Sequence, residues 1–348
     1  MDNVMQNGEL LSILKGNVVF TYDDAVIRSL YAKWWRDKGI IIFSDSVTVH
    51  RTAQAMSANR MHYDRDKKTL IMRGAVRFSD TEKHLKIQGE QGTYYIDQRL
   101  FSLVDDPRFY RFDTTASGDT LTVVGRQLTY NDSLNIATAI DSALITRGRL
   151  VSRSRTARFL TKDNLALLRG NPVVTYDKNR LQGDSVDCLF TNDALQGVSV
   201  KGNSFGLYKE PSATDTAVTS VRGDSLYMSV SDSGNVDTIR VFRNVINNYF
   251  QQSDPGRIDA ASGRQMTVEF DSVGGVQRAI IWGNARSVYF VDGSDGDGKN
   301  EASGDTIIVS FVDGKTSRLH MSGKVRGTYT PQAKMEEARQ QSSQKGLP

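Results

Sequence analysis

Residues 125–130 read Gly125-Arg126-Gln127-Leu128-Thr129-Tyr130: a small residue, a polar one, and then apolar and polar side chains in alternation. Leu128 and Tyr130 fall on one face and Thr129 on the other, which is the period of a β-strand. The pattern returns at 29–34, 58–63, 89–94, 154–159, 183–188, 223–228, 263–268 and 304–309, so that the first residues lie 29, 31, 36, 29, 29, 40, 40 and 41 positions apart. A second motif, a polar or small residue followed by Val, Pro or Ala (Ser in the copy at Asn203), falls between these copies. It begins at Asn17, Ser46, Ala75, Asp106, Ser142, Asn171, Asn203, Asn244, Asn284 and Lys324. Two interleaved series with nearly the same spacing identify an internal repeat.

The repeat sets the fold class. Turn residues such as Asp64-Arg65-Asp66-Lys67, Asn131-Asp132-Ser133 and Asp232-Ser233-Gly234-Asn235 separate the strands, and no helical stripe precedes Pro331. The expectation is an all-β, elongated stack of antiparallel strands. One unit cannot bury its apolar face alone, whereas stacked units can. Ten units at ~4.8 Å per strand would span roughly 50 Å, with two sheets facing each other. The expected organisation is an N-terminal extension over 1–9, one repeat domain over 10–330, and a polar tail over 331–348 that is disordered or briefly helical around Met335–Gln341. After residue 200 the repeats lengthen through loop-like insertions at 208–215, 251–256 and 292–298.

Aligning the copies predicts which side chains point inward. One sheet contributes Val18, Phe20, Val49, Val76, Phe78, Phe109, Ile145 and Val174. The facing sheet contributes Trp34, Met61, Tyr63, Tyr94, Leu128, Tyr130, Phe159, Val186, Leu226, Met228, Met266 and Ile307. These residues suit either a packed core or the lining of a groove. Beyond residue 200 the first column shrinks to Gly206, Asn247, Ser287 and Gly327. A void there would be costly, so a groove or a narrowed sandwich is expected. The polar residue after each small one should form a rim of cross-strand charge pairs, such as Glu90 with Arg126 and Asp224 with Arg264. Arg147, Arg149, Arg153 and Arg155, with Arg158 beside them, form a basic stretch. Guanidinium forks suit phosphate, so this stretch is either a headgroup contact or a solvated face.

Several function classes fall away. The formal charge is +4, from 44 basic and 40 acidic residues, and gives no electrostatic footprint for nucleic acid. Cys188 is alone, so no internal disulfide is possible. No apolar run approaches the length of a membrane-spanning helix. His50, His62, His84 and His320 lack metal-ligand spacing. Gly293–Asn300 imitates a phosphate loop but has Asn300 where Ser or Thr is needed, and Asp292, Asp295 and Asp297 lack the closing Glu of a calcium loop. With no nucleophile elbow either, the expectation is a protein that is not an enzyme and holds no cofactor and no metal.

Gly16-Asn17-Val18-Val19-Phe20-Thr21-Tyr22, Leu181-Gln182-Gly183-Asp184-Ser185-Val186 and Val221-Arg222-Gly223-Asp224-Ser225-Leu226 resemble the OstA-like repeats of lipopolysaccharide-transport proteins, the LptA, LptC and LptD periplasmic-domain family. The likeness covers roughly residues 10–330. It implies a β-taco, or open β-jellyroll, in the periplasm. Its apolar groove would shield the acyl chains of lipopolysaccharide or lipid A. The implied partners are other OstA-like components docked end to end by β-strand augmentation, or further copies of this chain. A periplasmic location would require a leader, and residues 1–4 have neither a basic nor an apolar leader region. The chain is longer than the usual bridge protein of that family and lacks a series of outer-membrane barrel strands. Two alternatives stand beside this reading: a structural or adhesive β-solenoid of the cell envelope, and a polysaccharide-acting β-helix enzyme.

Overall fold

The computed structural model describes residues 1–6, 8–112, 119–192, 194–211, 216–251, 254–291, 298–312 and 315–331. Every regular element among them is a strand. The chain forms two compact units, Met1–Pro172 with Phe190–Asp193, and Val173–Leu189 with Ala194–Pro348. The first unit holds β1 (Asp2–Gln6), β2 (Glu9–Tyr22), β3 (Ala25–Trp35), β4 (Ile40–Arg51), β5 (Gln54–Asp64), β6 (Thr69–Asp80) and β7 (Leu85–Tyr95). It continues with β8 (Leu100–Val104), β9 (Arg108–Arg111), β10 (Leu121–Val124), β11 (Gln127–Asn131), β12 (Ile136–Arg147), β13 (Leu150–Leu160) and β14 (Leu165–Arg169). In the second unit lie β15 (Val173–Tyr176), β16 (Asn179–Gln182), most of β17 (Ser185–Thr191), β18 (Ala194–Pro211), β19 (Thr216–Val230) and β20 (Val236–Gln251). It ends with β21 (Asp254–Phe270), β22 (Val276–Val291), β23 (Gly298–Val312), β24 (Lys315–Ser322) and β25 (Arg326–Pro331). The expected tail helix and the acidic loop at Asp292, Asp295 and Asp297 lie outside the described residues.

Neighbouring strands pair antiparallel, and the long pairings share an interruption near mid-strand. In β2–β3 the register breaks between Lys15 and Val18, in β5–β6 between Ser57 and Arg60, and in β20–β21 between Phe242 and Val245. These bulges are corners at which a strand leaves one half-sheet and enters another. Half-sheet A contains segments such as 31–35, 60–64, 100–104, 127–131 and 265–270. Half-sheet B contains 18–22, 47–51, 76–80, 245–251 and 285–291.

The second sequence motif marks the corners. Gly74-Ala75, Gly170-Asn171, Gly202-Asn203 and Gly283-Asn284 each place two successive residues at positive φ, as do Asp45-Ser46, Asp105-Asp106 and Asp141-Ser142. Left-handed backbone costs an ordinary L-residue about 1–2 kcal/mol. Gly avoids that cost, and Asn and Asp tolerate it through local hydrogen bonds. The first motif supplies the partner strand of the corner. The amides of Glu90, Asp184 and Asp305 donate to the carbonyls of Asp105, Gly202 and Gly323, at 3.0, 2.9 and 2.9 Å. The polar side chains there do not form the expected charge pairs: neither Glu90 with Arg126 nor Asp224 with Arg264 makes an ion pair. Instead the Glu90 carboxylate accepts from the Ala75 amide (3.2 Å), and Asp184 and Asp224 accept from the Asn203 and Asn244 carboxamides (3.1 and 3.0 Å). Their charge serves the corner peptide rather than a neighbouring cation.

In the first unit the half-sheets meet through rings. Phe20 of B packs edge-on against Trp34 and Phe43 of A, with centroids 5.6 and 5.3 Å apart. Phe78 meets Phe101 at 4.4 Å, and Phe109 meets Tyr130 and Phe159 at 5.6 and 6.3 Å. Such contacts add to burial when rings are offset or edge-on.

The small residue opening the first motif is sterically required where the next strand crowds it. A Cβ on Gly223 would lie 2.5 Å from Val241 Cγ1 and 3.1 Å from the Arg243 carbonyl. Gly223→Ala is therefore expected to lower unfolding free energy by ~1–3 kcal/mol through overpacking. Urea titration checks this; an unchanged midpoint would mean that the corner has slack.

Candidate functional site

All twenty groove candidates lie on strands that frame the interior. Seventeen are buried, and Phe20, Trp34 and Tyr63 are partly covered. The first unit is thereby filled with side chains: Phe109, Leu128, Tyr130 and Phe159 have no accessible surface. The Tyr130 hydroxyl is shielded without a hydrogen-bond partner, and burial drives its pKa well above the ordinary phenol value. Burial likewise pushes the Cys188 thiol up to about 12, so it is an inert core group rather than a nucleophile. The structure separates the basic stretch. Arg149, Arg153 and Arg155 face solvent, whereas Arg147 is buried and lies 5.7 Å over the Phe190 ring. The four therefore do not form one cradle. Among the described residues no group of His, Cys, Asp or Glu could hold a metal ion, and no helix is long and apolar enough to cross a membrane.

The rim of the interior was not legible as a site in the sequence. It is the inward rung five residues past each corner, one step outside the Phe20–Phe78–Phe109 column. In the first unit this rung includes Arg51, Gln54, Asp80 and Arg111, linked through the pairs Arg51–Gln54, Gln54–Asp80, Asp80–Leu85 and Leu85–Arg111. These residues lock onto the hairpin turns. Gln54 Nε2 donates to Asp80 (2.8 Å), Asp80 accepts from the Lys83 amide (2.9 Å), and Arg111 donates to the Lys83 carbonyl. From half-sheet A, buried Asp132 accepts from Lys83 Nζ at 2.5 Å and from Arg99. The Lys83–Asp132 pair joins the two half-sheets across the mouth, directly over Phe78, Phe101 and Tyr130. An indentation of about 270 Å³ remains outside this clasp, between Arg51, Gln54, Asp80, Lys83 and Arg99.

In the second unit the same rung changes chemistry. Tyr176, Tyr208, Tyr249, Tyr289 and Tyr329 each stand five residues past their corner residues Asn171, Asn203, Asn244, Asn284 and Lys324. Between them lie Asn179, Thr219, Asp259 and Asn300, in register with the tyrosines. Tyr176 Oη donates to the Gly234 carbonyl of half-sheet A (2.7 Å), and the Tyr208 ring meets Phe270 edge-on at 6.2 Å. Towards β25 the interior is less covered: Val268, Phe270, Val309 and Phe311 are half-buried, and so are the small residues Ala261, Ser287 and Ala302 opposite them. Asn247 Oδ1 and Ser287 Oγ, one step deeper than Tyr249 and Tyr289, are shielded without a hydrogen-bond partner.

Together these features define an all-β repeat protein whose bent antiparallel strands enclose an apolar interior, filled around Phe78, Phe109 and Tyr130 in the first unit and less covered towards β2 in that unit and towards β25 in the second. Neither a protein-family model nor a curated protein sequence matches the chain. Among solved structures, LptH, the LptA-homologous periplasmic component of the lipopolysaccharide transport device of Pseudomonas aeruginosa, is similar over 39% of this chain and 76% of its own, at 12% identity and a TM-score of 0.22. So partial a superposition decides nothing about ligand or partner.

The clasp has a pH signature. Burial would raise the Asp132 pKa, but hydrogen bonds and charge from Lys83 and Arg99 outweigh it and hold the carboxyl below its ordinary value. A depressed folded-state pKa contributes stability above the unfolded value of about 3.9, and that contribution is lost as pH falls through the folded value. Asp132→Asn is expected to lower stability at pH 7 by ~1–3 kcal/mol and to flatten the acid limb of stability against pH. Chemical denaturation from pH 7 to pH 3 checks both; an unaltered acid limb would show that Asp132 does not carry it.

Proposed function

We propose that this chain is a periplasmic carrier, and not an enzyme, for an acylated saccharide of the lipopolysaccharide type. It shields acyl chains in its apolar interior and leaves the sugars in water, serving as part of a bridge between the two membranes. The observation that carries this reading is the partial cover of the inward apolar side chains Val268, Phe270, Val309 and Phe311 in the second unit. An acyl chain entering there would gain about 0.8 kcal/mol for each methylene removed from water. The inward residues of the opposite half-sheet, Ala261, Ser287 and Ala302, are small. A purely structural solenoid has no use for an uncovered apolar interior. The first unit, filled and clasped, suits a rigid spacer.

The strand edges support end-to-end docking. Among the described residues, β24 and β25 pair only with β23, and β1 pairs only with β2. Open edges invite pairing with another chain, and an OstA-like component or a second copy would satisfy them by β-augmentation.

Lipopolysaccharide bearing a diazirine in an acyl chain tests the proposal. After irradiation with the full chain, adducts mapped by mass spectrometry are expected at Val268 and Val309, with fewer at the sealed Phe78 and Leu128. Adducts confined to outward positions such as Thr129 or Arg153 would overturn it.

A further inference from the structure

We infer that the tyrosine rung of the second unit is a saccharide-binding face, whose ligand is an uncharged stretch of linear glycan. The inference deepens the carrier reading by naming the part of the ligand that meets the rim.

Its first support is the regular alternation. Tyrosines occupy every second strand of half-sheet B, two strand spacings or ~9.6 Å apart, and each intervening position is Asn, Thr or Asp. A pyranose presents apolar C–H faces and a girdle of hydroxyls. It needs flat apolar partners next to groups that donate and accept hydrogen bonds. Tyrosine supplies a ring and a hydroxyl, and the carboxamide of Asn supplies both donor and acceptor. A face that repeats along one axis suits an extended chain rather than a single sugar.

The second support is charge. The nine positions of this rung contain no lysine or arginine and one carboxylate, Asp259. The equivalent rung of the first unit carries Arg51, Arg111 and Arg147. A phosphate would find its counter-charges in that arginine rung; neutral hydroxyls match the tyrosine rung.

Third, the groups are accessible and already positioned. Tyr176 and Tyr208 contact half-sheet A; towards β25 the rung is formed by Tyr249, Tyr289 and Tyr329 with Asp259 and Asn300. Tyr249 and Tyr289 are half-buried, and Tyr329 is 50% exposed. Asn300 Nδ2 donates to the Tyr289 hydroxyl at 2.8 Å, and Asp259 Oδ1 accepts the Phe290 amide at 2.9 Å. Fixing these side chains before binding lowers the entropy cost of capture.

An independent observation points the same way. Asn247 Oδ1 and Ser287 Oγ, two residues below Tyr249 and Tyr289 on the same strands, are shielded acceptors without partners. Shielded polar groups are normally satisfied. Sugar hydroxyls that displace the side chains covering these atoms on binding would supply hydrogen-bond partners.

The test is affinity electrophoresis of the full chain through gels containing dextran, mannan, galactan or the lipid-free polysaccharide of lipopolysaccharide. At least one is expected to retard the protein, and Tyr249→Ala or Tyr289→Ala should raise the apparent Kd at least about tenfold. Tyr22→Ala, at the equivalent rung position of the first unit, should leave it unchanged. Tyr329→Ala at the exposed end serves if the inner variants unfold by circular dichroism. No retardation by any of the four polymers, or retardation indifferent to the rung variants, would overturn the inference. The carrier reading fails separately: a fluorescent fatty acid that does not bind the wild-type chain sinks the carrier but leaves glycan binding intact.

Discussion

The constraint on which the molecule depends is the corner. Two successive residues in left-handed backbone turn a strand from one half-sheet into the other, and nine such pairs recur along the described chain. One corner alone would be a strained bulge. Stacked in register, each is held by the amide and polar side chain of the strand beside it, so the strain is shared with a ladder of hydrogen bonds. Once the strands bend together, alternate side chains on both arms must converge. The aromatic column, the rim and the terminal edges all follow from that bend.

A backbone so uniform makes differences in side chain easy to assign. The rung five residues past the corner has the same place in both units, yet in one it holds Arg51, Gln54, Asp80 and Arg111, and in the other a row of tyrosines. The charged rung belongs to the clasp network that places Asp132 over a filled interior. The tyrosine rung stands over a shallower one, where Gly206, Asn247, Ser287 and Gly327 replace the earlier Phe20, Phe78 and Phe109. Rim and interior change together. A charged rim suits an interior that is already full, because a buried carboxylate needs its two cations held permanently in place. A rim that must admit and release a ligand is better made from groups with both apolar and hydrogen-bonding character.

The sequence carried the strand period, the repeat and the inward columns because each rests on spacing along the chain. Phe78, Leu128 and Tyr130 could be placed inside by counting in twos from Gly125 and its counterparts. The corners were visible as a motif, but their meaning was not: Asn171 and Asn203 read as the first residues of strand segments until φ showed two left-handed residues together. The charge pairs expected for Glu90 and Asp224 failed because the nearer partner is a backbone amide or a corner Asn, and alternation says nothing about such partners. The clasp was beyond reach for a different reason. Lys83 and Asp132 are 49 residues apart on turns of opposite half-sheets, and only the folded register brings them within 2.5 Å. The tyrosine rung left a signal, Asn-x-x-x-x-Tyr at 171–176, 203–208, 244–249 and 284–289, which also occurs once in the first unit at 17–22. Its asparagines read only as the first residues of the second motif, and the tyrosines gain meaning once the rung is known to face inward.

An interior partly open to water sets its own condition. The half-buried Val268, Phe270, Val309 and Phe311 cost the protein hydrophobic free energy that the first unit, built on the same plan, recovers by filling its core with rings. Large side chains are absent from the inward positions Ala261, Ser287 and Ala302, while at Gly206 the neighbours have already closed in, and a Cβ would lie 3.1 Å from Leu226 and from Val221. In their place stand small residues, two orphaned acceptors and a row of tyrosines. Each of these lowers the stability of the protein alone or leaves it unimproved, and under the proposed function each would become favourable with an amphiphile bound between the half-sheets. Uncovered apolar surface alone would invite aggregation. On the proposed carrier reading, an acylated saccharide would cover that surface, and its hydroxyls could partner Asn247 Oδ1 and Ser287 Oγ once the side chains over them move.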